Sequence, residues 1–403
     1  MNNASSNNKI SLLAVTAVGI NAMIGAGVLA IPIMLANQVG PAGIISAFFS
    51  ILFVLFIGLS LGRAAGIYPG SGWNYLYPSK WAGHFVGMIS SFLYIFGIIV
   101  AMGFLVQQVG VWSHMFIPFV SPTILSVVIF LILMFLVLYG AHASSLSQYV
   151  IAFFVLLPLT LTAIYCWFHF DSRLLTPFMP YGAISLLKTG PSILFAFFGF
   201  ESIASLYSIV ENPRRNIPKA FMLSILTVGI LYSLFFFGIL FAIPSQYFVG
   251  GLNDTIANVL SKFFSGARFL SVSLLIGAFF GIIGTLHSML WSVSVLFSGV
   301  LKRSRSSFIK LLLAKNIWNE KVAVLVTSTL ILLSFFFFLA EKLIAMTALF
   351  IVPSYILSIM SLLFIKKEWK SGQNFITMCA FLGGLLMIYF ALQSAIPALL
   401  SFF

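Results

Sequence analysis

Charge is scarce in this chain. Only 7% of its 403 residues are Asp, Glu, Lys or Arg, against roughly 25% in an ordinary soluble domain, and no stretch reads as a separate soluble domain. Acid is scarcer still. Of the seven Asp and Glu residues, Asp171, Glu211, Asp254, Glu320, Glu341 and Glu368 fall at the ends of apolar segments or in loops. Carboxylates paired in register, or a histidine in register with an acid, are what general acid–base chemistry needs, and their scarcity argues against a membrane-embedded enzyme. The sequence also lacks a repeated selectivity element or rings of polar residues, which argues against a channel. The two cysteines, Cys166 and Cys379, lie in apolar segments without metal-ligand spacing. They read as small buried hydrophobes, so no disulfide, metal or other cofactor is expected.

What is abundant is apolar sequence, with 61% of residues hydrophobic. Runs long enough to span a bilayer, about 17 to 25 residues, recur along the whole chain. They lie near residues 10–36, 42–66, 83–112, 122–140, 147–170, 185–210, 218–243, 266–300, 321–340, 344–364 and 374–392. This predicts one all-α integral membrane domain over 1–403 with about eleven transmembrane helices. The apolar tail from Gln393 to Phe403 carries Pro397 and either extends the last helix, lies at the interface or adds a twelfth span. The polar start, Met1 to Lys9, precedes an apolar run longer than the core of a signal peptide and reads as an uncleaved first helix.

A net charge of +13 would suit a nucleic-acid partner, but the Lys and Arg residues sit in short loops, where they set topology. The partner implied is the lipid bilayer, with no nucleic acid. With the N-terminus inside, fifteen of the twenty Lys and Arg residues face the cytoplasm and five face outward, as the positive-inside rule requires. The expectation is a multi-pass protein of the cell membrane, a bacterial plasma membrane, with a cytoplasmic N-terminus.

The seventh acid is different. Glu201 falls inside an apolar segment, in Phe197-Phe198-Gly199-Phe200-Glu201, where a carboxylate costs roughly 2.5 to 3.5 kcal/mol on insertion scales. Glycine weakens the helix beside it. The first span also contains two glycines, in Met23-Ile24-Gly25-Ala26-Gly27-Val28, followed by Pro32, each glycine costing about 1 kcal/mol against alanine. Either pattern alone would suit close helix packing. Non-helical backbone at membrane depth survives only where it lines a cavity or is buried in protein, so two breaks five spans apart point to a central site in an inverted repeat. Free N–H groups where the first helix restarts can hold a carboxylate, and free carbonyls where the sixth unwinds can hold an ammonium. A site with both fittings suits an amino acid.

The chain resembles the amino acid/polyamine/organocation permease family. The residues that carry the resemblance are Gly25-Ala26-Gly27, the run Tyr68-Pro69-Gly70-Ser71-Gly72-Trp73-Asn74-Tyr75-Leu76-Tyr77, and Gly199-Phe200-Glu201 followed by Glu211-Asn212-Pro213-Arg214-Arg215-Asn216-Ile217-Pro218-Lys219-Ala220. In that last run Pro213 is expected to stop one helix and Pro218 to open the next. The resemblance implies a leucine-transporter-type 5+5 inverted repeat with helices one and six broken. Its halves would be 10–170 and 185–365, with 374–403 forming the C-terminal helix or helices.

The resemblance also implies substrate contacts from Ala22, Met23, Ile24, Gly25, Ala26, Gly27, Phe195, Phe198 and Gly199. It casts Glu201 in gating or proton exchange, with Tyr94 on the third helix reaching toward it. Burial favours the neutral form of a carboxylate, so such a group can take up a proton during a transport cycle. His287, in the middle of the eighth span, offers a second titratable group for gating or proton coupling. Some proton-coupled members carry a lysine on the fifth helix, but Gln148 to Phe170 holds no Lys or Arg. Sodium would draw on carbonyls of helix one and on Thr285 and Ser288. The function expected is secondary active amino acid transport by alternating access, of neutral amino acids by proton-coupled uptake or by exchange. A basic amino acid or polyamine antiporter is the alternative, and the oligomeric state is open.

Overall fold

The computed structural model describes residues 9–25, 27–114, 116–139, 141–248, 256–264, 266, 268–315, 318–337, 340–364 and 371–400. Among these the chain is helical, and its only β pairing is an isolated parallel bridge between Ile10 and Val210. The helices are α1 (Leu12–Met23), α2 (Gly27–Gln38), α3 (Gly43–Ile67), α4 (Trp73–His114), α5 (Pro122–Leu138), α6 (Ala141–Phe168), α7 (Ile184–Lys188), α8 (Gly190–Phe195), α9 (Ser202–Ser205), α10 (Pro213–Ala242), α11 (Ile256–Phe263), α12 (Arg268–Leu301), α13 (Ser307–Ala314), α14 (Glu320–Phe337), α15 (Ala340–Phe364) and α16 (Ser371–Leu400). Among the described residues α3, α4, α6, α10 and α12 are each long and apolar enough to cross a bilayer unbroken, and the pair α1 and α2, bent by 55°, makes one further span. The sixth expected segment is filled by α8 and α9 and the last by α16, whose backbone continues through Pro397 to Leu400. Large apolar side chains such as Phe49, Phe92, Phe135 and Phe336 face outward, which suits a lipid-facing surface rather than water.

Helix starts follow ordinary capping chemistry. The Ser11 hydroxyl accepts from the N–H of Ala14, and Ser121 caps α5 with Pro122 in the first turn. Three local expectations are corrected. α4 begins at Trp73 rather than near residue 83, and the expected boundary survives as a kink at Gly83, whose φ is 81°. The sixth segment is far less helical than expected, because residues 196–201 turn instead of coiling. Pro213 occupies the first turn of α10, where its missing N–H costs nothing, and Pro218 lies inside that helix. Asn212 makes the corner before it with φ 42°, a left-handed position that asparagine tolerates.

The packing carries the inverted repeat. Span one lies on span seven (α1 on α10), and its counterpart five spans on, span six, lies on span two (α8 on α3). Likewise span three lies on span ten (α4 on α15), and span eight on span five (α12 on α6). In each of these two pairs the contact recurs with every span shifted by five, as an inverted repeat requires.

Candidate functional site

At the first break, α1 closes with the N–H of Ile24 on the carbonyl of Ile20, and the N–H of Gly25 then turns back to the carbonyl of Met23 at 3.0 Å. At the second, α8 ends at Phe195, and tight i to i+3 bonds take over, from Phe197 N–H to Leu194 and from Ser202 N–H to Gly199. Gly199 sits at φ 112°, a backbone conformation that side chains disfavour. A Cβ built on Gly199 would run into the carbonyl oxygen, the carbonyl carbon and the Cβ of Ala22. The two broken strands of backbone therefore touch.

The carbonyls freed by unwinding need partners, since no water reaches them in the bilayer. Tyr232, fully buried on α10, supplies one: its hydroxyl lies 3.1 Å from the carbonyl of Met23 and 3.2 Å from that of Ala196. A single O–H thus bridges the two breaks. Tyr232→Phe should leave these carbonyls without that donor at a cost of about 1–3 kcal/mol. The expected result is a lower thermal midpoint in detergent together with slower uptake; an unchanged midpoint would show that the bridge does not hold the breaks together.

Glu201 is fully buried. Its Oε1 accepts from the hydroxyl of Tyr94 at 2.9 Å and its Oε2 from the N–H of Gly199 at 3.1 Å. The Tyr355 hydroxyl on α15 faces the same carboxylate, short of hydrogen-bond geometry. Around it Trp73 packs edge-on to Tyr94 with ring centroids 5.0 Å apart, Phe200 lies 5.5 Å from Tyr355, and Phe198 lies 6.2 Å from Tyr355. Among the described residues no cation pairs with Glu201, and the ion pair found is Asp171 with Arg173 in an exposed loop. Hydrogen bonds alone hold the carboxylate.

A second polar cluster joins α1, α6 and α12. The Nδ2 of Asn21 donates to both the backbone carbonyl of Gln148 at 2.8 Å and its Oε1 at 2.6 Å. The Ser288 hydroxyl donates to the same Oε1 at 2.9 Å, and Gln148 Nε2 lies 3.0 Å from His287 Nδ1. Thr285 donates to the carbonyl of Asn21 at 2.9 Å. Both hydroxyls named for a sodium site therefore spend their hydrogens on protein acceptors.

Of the residues expected at the site, Ala22, Met23, Ile24, Gly25, Phe198 and Gly199 are buried at the two breaks, and Gly27 is half-buried. Ala26 and the side chain of Phe195 lie outside the described residues. Glu201 and Tyr94 are joined directly, whereas His287 belongs to the other cluster. Sequence reasoning misses Tyr232, Tyr355, Trp73, Asn21 and Gln148. Trp73 stands in the run Tyr68 to Tyr77, before the expected third span; each of the others carries a polar atom on an otherwise apolar span, a signal too common in membrane helices to single them out without their neighbours.

A family model for amino acid permeases matches residues 10–402. The chain belongs to the amino acid permease family. It is 28% identical over 253 residues to the aspartate-proton symporter of Bacillus subtilis, a match covering 59% of this chain and 48% of that protein. It is 25% identical over 299 residues to the branched-chain amino acid permease BcaP of Bacillus subtilis, covering 68% of this chain and 63% of that one. The chain thus spans about half to three-fifths of the length of these curated relatives. Among solved structures, that of MhsT in complex with L-phenylalanine superposes with a TM-score of 0.67 at 14% identity, over 95% of this chain and 98% of that one. That likeness shows the leucine-transporter-type fold. This permease is accordingly a multi-pass membrane protein.

Proposed function

We propose that this permease is a secondary transporter of neutral amino acids that works by alternating access, with proton coupling or exchange as its driving process. The observation that carries this reading is the contact of the two breaks, where Gly199 abuts the carbonyl of Ala22. A zwitterion needs N–H donors for its carboxylate and carbonyl acceptors for its ammonium, and a pair of unwound helices presents both in one place. The substrate contacts proposed are Ala22, Met23, Ile24, Gly25, Ala26, Gly27, Phe195, Phe198 and Gly199. A neutral side chain is favoured because the one buried acid nearby, Glu201, already accepts from Tyr94 and Gly199. Aromatic rings surround the rest. The relatives named for aspartate and for branched-chain substrates, and the phenylalanine bound in MhsT, support an amino acid cargo without choosing among them.

The N-terminus is proposed to be cytoplasmic, in a cell membrane, on the charge distribution of the loops. Glu201, Tyr94 and His287 are proposed for gating and proton coupling. The test is counterflow in liposomes with a panel of labelled amino acids, including arginine and a polyamine, with and without a pH gradient. Saturable exchange of neutral amino acids is the expected result, and exchange restricted to cationic substrates would turn the assignment to a basic amino acid antiporter. Flux that does not saturate would make it a channel.

A Cβ on Gly25 would lie 2.9 Å from the Thr285 hydroxyl oxygen, which is bonded to the Asn21 carbonyl. Gly25→Val should push α12 away from the break and abolish substrate binding. Retained affinity in a scintillation proximity assay would sink the role given to this backbone.

A further inference from the structure

We propose that residues 302–315 and 318–321, with α13 at their centre, form a docking surface for anionic phospholipid. On this surface α13 lies among the lipid headgroups, with its apolar positions toward the acyl chains and the cations around it on lipid phosphates. The inference goes beyond the transport reading above and stands without it.

Cations are concentrated here as nowhere else in the sequence. Lys302, Arg303, Arg305, Lys310, Lys315 and Lys321 fall between the ends of span eight and the start of span nine, against the single acid Glu320. Arg303 is committed to the protein. Its Nη1 donates to the carbonyl of Gly299 at 2.7 Å, and its guanidinium lies 6.0 Å from the ring of Tyr75. The other five are exposed, and the ion pair found among the described residues involves none of them. Clusters of about four to eight Lys and Arg beside a span, or on an amphipathic helix, are drawn to the phosphates of anionic lipid.

The helix among these charges is amphipathic. Ser306, in extended backbone, precedes it, the N–H of Lys310 bonds the Ser306 carbonyl, and the N–H of Lys315 closes the last turn on Leu311. At about 100° per residue, positions 308, 309, 311, 312 and 313, all Phe, Ile or Leu, share one arc, and Ser307, Lys310 and Ala314 fill the rest. α11 shows what happens when protein covers such a helix: it buries Ile256, Ala257, Val259 and Leu260 and packs on α12 and α2. α13 makes no comparable packing contact among the described residues, and Leu311 is 50% exposed. An apolar arc left open beside a ring of cations is the pattern of a helix that lies in the membrane interface.

Its place in the chain puts α13 at that interface. Residues 302–306 join it to α12 and residues 315–319 join it to α14, and each such stretch reaches about 17 Å at most. Trp318 packs edge-on against Phe297 of α12 with ring centroids 5.6 Å apart, which fastens the far end of the segment to span eight, and tryptophan favours headgroup depth. Lysine suits the flanks, since its long apolar stem can lie along acyl chains while the ammonium stays at the phosphates. The cations at the start of α10, Arg214, Arg215 and Lys219, lack this second half, because they sit on a spanning helix with no interfacial helix beside them.

The test reconstitutes the full-length permease in phosphatidylcholine liposomes doped with phosphatidylglycerol that carries a photoactivatable diazirine near its headgroup, or with the matching phosphatidylcholine. Illumination, digestion and mass spectrometry then locate the labels. Phosphatidylglycerol should mark the α13 segment severalfold more than phosphatidylcholine does, and the two should mark the lipid-facing segment around Phe135 equally. Lys302→Gln, Arg305→Gln, Lys310→Gln, Lys315→Gln and Lys321→Gln combined should remove the preference, whereas Lys302→Arg, Lys310→Arg, Lys315→Arg and Lys321→Arg combined should keep it. Leu311→Glu should lower labelling by both lipids. Salt at about 1 M, where screening shortens to about 3 Å, should erase the preference in the unmodified protein, so the test decides even if the glutamine variant fails to insert. Equal labelling of the α13 segment by the two lipids, or a preference that survives high salt, would overturn the proposal. An equal preference at Arg214, Arg215 and Lys219 would overturn it too, in favour of a diffuse attraction to charge. None of these outcomes depends on transport, so failure to move any amino acid would sink the transport reading and leave this result standing.

Discussion

Gly199→Val should abolish transport, and Gly199→Ala should come close to doing so. Two independent costs fall on the same atom. The backbone at Gly199 holds φ at 112°, where a residue with a side chain is strained by roughly 1–3 kcal/mol. The added Cβ also meets backbone, the carbonyl of Ala22, which cannot swing aside as a side chain would. Because the clash is with the first carbon, alanine already incurs most of it, and valine adds the crowding of a branched Cβ. The strand that would have to move also carries the N–H bonded to Glu201, so the gate is disturbed together with the pocket. Uptake into liposomes measures the effect, and elution of each variant as a sharp peak in detergent separates loss of transport from loss of fold. Uptake near the wild-type level from Gly199→Ala would show that contact between the two breaks is not needed for the cycle.

How far such a contact can be read from sequence depends on what produces it. Span order is legible because hydrocarbon thickness sets the length of each apolar run, and the break near Gly25 is legible because two glycines and a proline fall within one helix. The break near Gly199 is legible only in position. Its extent, residues 196–201 in turns, depends on Tyr232 being present to satisfy carbonyls from a different helix, and no local pattern announces a partner 36 residues away. The pairing of Tyr94 with Glu201 follows from family resemblance and is present in the structure at 2.9 Å. His287 is visible as a titratable group in an apolar span, yet nothing in its own segment shows that its partner is Gln148 or that Gln148 is bonded to Asn21. In the sequence Gln148 marks only the start of a stretch without lysine. The start of α4 is hidden because Trp73 to Lys80 reads as polar loop sequence, whereas Trp73, Asn74, Tyr77 and Pro78 are buried and the helix forms around that burial.

Glu201→Gln should lower transport by about tenfold or more, equivalent to about 1.4 kcal/mol in the barrier, and flatten its pH dependence while the protein still inserts and folds. The substitution keeps the shape of the side chain. Its Oε1 can accept from the Gly199 N–H, and its amide nitrogen can donate to Tyr94, whose hydroxyl reverses from donor to acceptor. No buried donor is left opposing another, so the structural cost is smaller than that of deleting the side chain. Glu201→Ala would instead strand two donors, the Tyr94 hydroxyl and the Gly199 N–H, at about 1–3 kcal/mol each, and so mixes loss of packing with loss of titration. The carboxylate accepts one hydrogen on each oxygen and keeps further lone pairs for a proton. Both donors favour the charged form, and Tyr94 is the one that can turn away, since its hydroxyl rotates and the Gly199 amide is fixed in the backbone. Tyr94→Phe should therefore shift the pH at which uptake is half-maximal, whereas Glu201→Gln should remove the pH dependence altogether. Uptake measured from acidic to alkaline medium at a fixed substrate gradient separates the two. A Glu201→Gln curve that keeps the wild-type shape would assign the carboxylate a purely structural place between α4 and the unwound sixth span, and would leave His287 to carry proton coupling.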